Sequence, residues 1–69
     1  MTTEVLDDNY DLQYSAPEIY GRGYICDVLL IRKSDNTSVR AFRGEGSTPQ
    51  KAENSGKNKA KEAYYSMRH

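Results

Sequence analysis

One cysteine, one histidine, two prolines and no tryptophan stand among the 69 residues of this chain. A single cysteine forbids an internal disulfide, and one histidine leaves no Cys/His set for a structural metal, so the usual staples of very small folds are missing. Cys26 is expected in the interior as a small apolar side chain. No run approaches the roughly 18 apolar residues of a membrane-spanning helix, and Met1-Thr2-Thr3-Glu4-Val5 lacks the basic start and apolar middle of a secretory signal. A cytoplasmic setting is the expectation, with no membrane partner. A chain this short buries only about 60% of the surface its unfolded form exposes, so a homodimer is a reasonable compensator.

The sequence is equally short of reaction chemistry. Gly44-x-Gly46 is the only glycine pattern that suggests phosphate binding, and a dinucleotide fingerprint needs a third glycine and a βαβ unit. The acidic residues are scattered, without two whose spacing brings them together, and His69 is terminal. These absences point to a non-enzymatic protein with no cofactor and no metal.

What is present is an uneven distribution of charge. The formal net charge is zero, yet residues 1 to 18 hold Glu4, Asp7, Asp8, Asp11 and Glu18 with no Lys or Arg, a charge of −5. All ten Lys and Arg lie in residues 19 to 69 beside five carboxylates, a charge of +5. Such a split fits a nucleic-acid surface, a self-masking tail, or simple solubility.

Residues 1–9 are polar and aperiodic and read as a flexible acidic arm, leaving 10–69 as a single α+β domain. Tyr10, Leu12 and Tyr14 alternate with polar residues at the period of a strand with one wet face. Ser15-Ala16-Pro17 interrupts them. Tyr24 to Arg32 is the strongest strand signal, with Tyr24, Cys26, Val28 and Leu30 on one face. Its other face carries Ile25, Leu29 and Ile31 around Asp27. Lys33 to Thr37 has the turn formers that reverse the chain, and Ser38 to Arg43 returns antiparallel. Thr48 before Pro49 marks a helix start, and the helix should run to about Met67. Ala52, Gly56, Ala60, Ala63 and Met67 form a stripe of mostly small residues that lets the helix approach a sheet closely. The expected architecture is β-β-β-α, a small antiparallel three-stranded sheet packed by one C-terminal helix.

Candidate binding residues follow from charge and aromaticity. Arg40 and Arg43 on the return strand, Lys51 in the first helical turn, and Lys57, Lys61 and Arg68 on the helix flank are able to hold phosphates, or simply to form a solvated face. Among six tyrosines, Tyr65 is the one expected to stand clear of the core and contact a partner.

From about Pro17 to Met67 the order of strand, return strand, Gly44-Glu45-Gly46 and alanine-bearing helix resembles the later part of a double-stranded RNA-binding domain. That resemblance implies a small sheet under a final helix whose basic start grips phosphates. The corresponding turn here reads Ser47-Thr48-Pro49-Gln50-Lys51, so only Lys51 carries over. The family's first helix has no counterpart in the acidic leader. The Gly-x-Gly-(Ser/Thr)-Pro helix start is also similar to compact accessory proteins of bacteriophages and mobile elements. Together these readings favour a module that binds a protein as an accessory, inhibitor or adaptor, with nucleic acid as the alternative target.

Overall fold

A computed structural model describes residues 2–67. Five strands and one helix follow in order: β1 (Thr2–Val5), β2 (Tyr10–Tyr14), β3 (Glu18–Tyr20), β4 (Gly23–Arg32), β5 (Thr37–Gly46) and α1 (Pro49–Met67). The α+β class and the C-terminal helix agree with the sequence, but the sheet has five strands where three were expected. Two segments account for the difference. The segment read as an arm supplies β1, which pairs antiparallel with β2. Beyond Pro17 the chain resumes pairing as the separate three-residue strand β3.

β4 organises the sheet, because its apolar, β-branched run is long enough to serve both edges. β2 and β3 pair with successive halves of one edge, and β5 pairs with the other along nearly its whole length. Pro17 lies between β2 and β3, where its missing amide interrupts no ladder. The two-residue turn Gly21-Arg22 joins β3 to β4, with Gly21 at a φ of 62°, which costs glycine nothing. At the β4–β5 turn Asn36 takes a φ of 55°, and Asp35 accepts the Thr37 amide at 3.2 Å and two donors from Arg32. The Arg32 guanidinium and the Thr37 amide hold the Asp35 carboxyl down to about 2.

Helix α1 covers one face of this sheet. Thr48 caps it as the sequence predicts, its hydroxyl accepting the Lys51 amide at 3.2 Å. Leu12, Cys26, Val28 and Leu30 rise from the sheet to meet Ala52, Ala60 and Tyr64, all buried. The predicted stripe holds at Ala52, Gly56 and Ala60 and then departs. Tyr64 is buried, whereas Ala63 is half-buried and Met67 is 40% exposed. The contact row follows the i+4 ridge, which is inclined to the helix axis, across a twisted sheet, so it drifts away from the face that an untwisted surface would select.

Glycine sets the distance between the layers. A Cβ on Gly44 of β5 would land inside the backbone of Gly56 and Ala52, and one on Gly56 would lie 2.8 Å from Val28 Cγ2 and 3.1 Å from the Cys26 carbonyl oxygen. Gly44→Ala should therefore cost about 3 kcal/mol or more, because backbone cannot step aside. Gly56→Ala should cost much less, since a helix-propensity gain of about 1 kcal/mol offsets a milder contact. Urea denaturation of both variants checks the order, and equal losses would contradict this packing.

Candidate functional site

The basic residues singled out in the sequence do not share one surface. On β5, Arg40 is opposite Leu30, on the helix side, and its guanidinium lies 5.0 Å from the Phe42 ring centroid. Arg43 is opposite Asp27 on the helix-free side and pairs with it, Nε to Oδ1 at 3.0 Å. Lys51 is exposed at the helix start. Tyr65 is exposed as expected, its ring centroid 5.3 Å from that of Tyr64. Arg68 lies outside the described residues.

Lys57 and Lys61 are brought together, one helical turn apart, but they do not point into solvent as a free flank. Their ammonium groups converge on Glu4 of β1, at 3.5 Å from Oε1 and 3.1 Å from Oε2. Lys57 also lies 3.7 Å from Glu53 and 5.2 Å from the Tyr14 ring centroid, with only 19% of its side chain exposed. A lysine stem laid over an aromatic ring and ending on a carboxylate is a packed element as much as a charged one. The Lys61 hydrogen bond, opposed by burial and reinforced by the charges of both lysines, holds the Glu4 carboxyl below its usual value.

The residues that the sequence did not single out are acidic or structural. Glu4 is the clasp for both lysines. Asp7 accepts the amides of Asn9 and Tyr10 at 2.7 and 2.8 Å and also the Tyr64 hydroxyl, so it ties the β1–β2 turn to the helix. Lys59 donates to the Arg43 carbonyl oxygen at 2.8 Å, covering a backbone acceptor on β5. Asp11 Oδ1, which has no hydrogen bond among the described residues, lies 3.4 Å from Lys33 Nζ. The signal for Glu4 was present in the −5 charge of residues 1 to 18 and the +5 charge of the remainder, since opposite charges separated in sequence are free to meet in the fold. Asp7, bound to amides and a hydroxyl, left no such signal.

The remaining surface offers little reactive chemistry. Cys26 is buried, donates weakly to the Ser15 carbonyl, and has its thiol pushed up by burial and by the nearby Glu53 and Asp27 charges. A thiol so placed is a poor nucleophile. Among the described residues no group of three His, Cys, Asp or Glu side chains is placed to hold a metal. A depression of about 440 Å³ lies where β3 and β5 end and β4 begins, lined by Tyr20, Arg22, Tyr24, Ile25 and Glu45 among others. No helix of the described residues is long and apolar enough to cross a membrane. Comparison with protein-family profiles, curated proteins and solved structures returns no match.

Reversing both clasp lysines, Lys57→Glu with Lys61→Glu, should loosen Thr2–Val5 and cost about 1 to 2 kcal/mol, since partly exposed pairs are worth at most about 1 kcal/mol each. Adding Glu4→Lys should restore part of the loss, as followed by amide exchange of β1. Acid should act in the same sense. The folded pKa of Glu4 is depressed, so its stabilisation is complete above the ordinary value of 4.5 and is lost as pH falls through the lower folded value. Over that window the β1 amides should lose protection before those of β4, and simultaneous loss would show that the clasp does not govern β1.

Proposed function

We propose that this chain is a non-enzymatic protein-binding module that acts as an accessory or adaptor by occupying a partner. The observation that supports this reading is the internal neutralisation of its basic candidates. Lys57 and Lys61 end on Glu4, and Arg43 ends on Asp27. Phosphate binding gains its affinity by replacing small counterions with fixed cations, and a lysine already paired with a carboxylate must first give up that pair. Arg40 and Lys51 stand without a carboxylate partner among the described residues, but at opposite ends of the β5–α1 unit they make no continuous basic track.

Apolar and aromatic side chains are left in solvent instead. Ile19 is 76% exposed, Tyr20 64% and Tyr65 57%. Exposed aromatic residues on a rigid sheet or helix are the usual anchors of protein interfaces, where they bury a large area at small entropic cost.

Titration with duplex RNA, duplex DNA and single strands should give no binding at about 50 mM salt, and hence no steep loss between about 50 and 200 mM. Affinity capture from the native host, with and without nuclease, should retain a protein in both cases, and Tyr20→Ala should weaken that capture more than Lys51→Glu. Material retained only in the absence of nuclease would overturn the reading in favour of nucleic acid.

A further inference from the structure

We propose that the outer edge of β2, beside Lys57 and Lys61, is a strand-accepting site for an acidic extended segment of a partner protein, and that β1 fills this site in cis. The proposal rests on the protein-binding reading above and names the partner's chemistry. β1 shows how such a segment would sit. Its backbone pairs antiparallel, Thr2 with Tyr14 through Val5 with Asp11, which gives attachment that depends little on side chains. Sequence is read only on alternate residues, and the residue opposite Leu12 is Glu4, the one that reaches both lysines.

The recognising groups belong to the body of the fold, and the occupant contributes little else. Tyr14, Lys57 and Lys61 come from β2 and α1, the elements that build the core. Of the four residues of β1, Thr2, Thr3 and Val5 are exposed and only Glu4 is half-buried. If β1 leaves, two cations remain one helical turn apart, Lys57 keeping Glu53 and Lys61 keeping no carboxylate partner among the described residues, an arrangement that repels itself and attracts an acidic replacement. Charge complementarity therefore selects the class of occupant.

Length decides how a partner would displace a tethered strand. The register places the start of β1 at Tyr14, and β3 continues along the same side of β4 with no strand on its outer edge among the described residues. Ile19 lies on that edge, 76% exposed. An acidic strand longer than β1 would pair with β2, continue past the Pro17 break, and cover β3 and Ile19 as well. That surplus is what allows it to compete with a strand already in place.

The test uses the full chain and a labelled peptide carrying the sequence of residues 1–8, with a control peptide bearing lysine in place of its glutamate. In the Glu4→Lys chain the cis strand loses its clasp, and the acidic peptide should bind at least about tenfold more tightly than to the unmodified chain. Amide shifts should concentrate on Tyr10–Tyr14 and on Lys57 to Lys61, and the control peptide should not bind. Should Glu4→Lys fail to fold, Glu4→Gln serves with the same peptides and a gain of several-fold. Equal affinity for both chains, equal binding of the control peptide, or shifts elsewhere would overturn the site. A dimer of the unmodified chain formed by exchange of β1 would name a second copy as occupant and overturn the assignment to a foreign partner. Peptide failure alongside nuclease-resistant capture would remove the strand site alone, whereas capture of nucleic acid only would remove both readings.

Discussion

The close approach of α1 to β5 at Gly56 and Gly44 is the constraint from which the rest of the molecule follows. Two backbones meet where neither carries a Cβ, and Ala52 and Ala60 extend the contact by one helical turn in each direction. Small residues bring axes together but bury little apolar area of their own. The apolar mass must then come from the sheet, and Leu12, Val28 and Leu30 supply it as the largest fully buried side chains. A thin slab results, 38 by 23 by 15 Å, one sheet deep and one helix deep.

A helix held tightly over β5 and β4 leaves β1 and β2 beneath its flank rather than beneath its centre. An apolar residue on that flank would be half in water. Long amphipathic side chains suit the position better, because their stems cover apolar surface while their ends stay polar. Lys57 does this over Tyr14, Lys61 follows one helical turn on, and Glu4 meets both from β1. Part of the zero net charge of the chain is thus an internal compensation, in which the acidic first segment neutralises the basic last one.

The central features of the fold were legible in the sequence because they depend on local chemistry. Alternation in Tyr10–Tyr14, the β-branched run of β4, the turn formers before Thr37 and the Thr48-Pro49 start each specify their own element. β1 and β3 were not legible because nothing in four or three residues fixes an extended backbone. Both are made by the edge they pair with, the long edge offered by β4 and β2, and that edge exists only after the sheet has formed. Lys57 and Lys61 were visible as a pair at helical spacing, while their role was not, since Glu4 lies more than fifty residues away. Tyr64 was missed for a related reason, the twist of the sheet being a property of the assembled layer rather than of the helix sequence.

The two fastenings of the first segment differ in kind, and the difference governs how it would open. Around Asp7 the turn is held by two backbone amides and the Tyr64 hydroxyl, and Tyr64 itself is buried against the core and lies edge-on to Tyr10. Around Glu4 the hold is ionic, partly exposed, and shared among two lysines. Ionic contacts of that exposure weaken with salt and acid, whereas a hydroxyl anchored by a buried ring does not depend on bulk screening. Opening is therefore expected to be local, with Thr2–Val5 swinging away while the turn at Asp7 stays fixed. A strand tethered so near its own site returns at an effective concentration on the order of millimolar, which any competing strand has to exceed. The charge at the position of Glu4 then sets the class of occupant, while the affinity needed to displace β1 comes from what a longer strand gains beyond Tyr14, along the edge of β3 that no strand covers among the described residues.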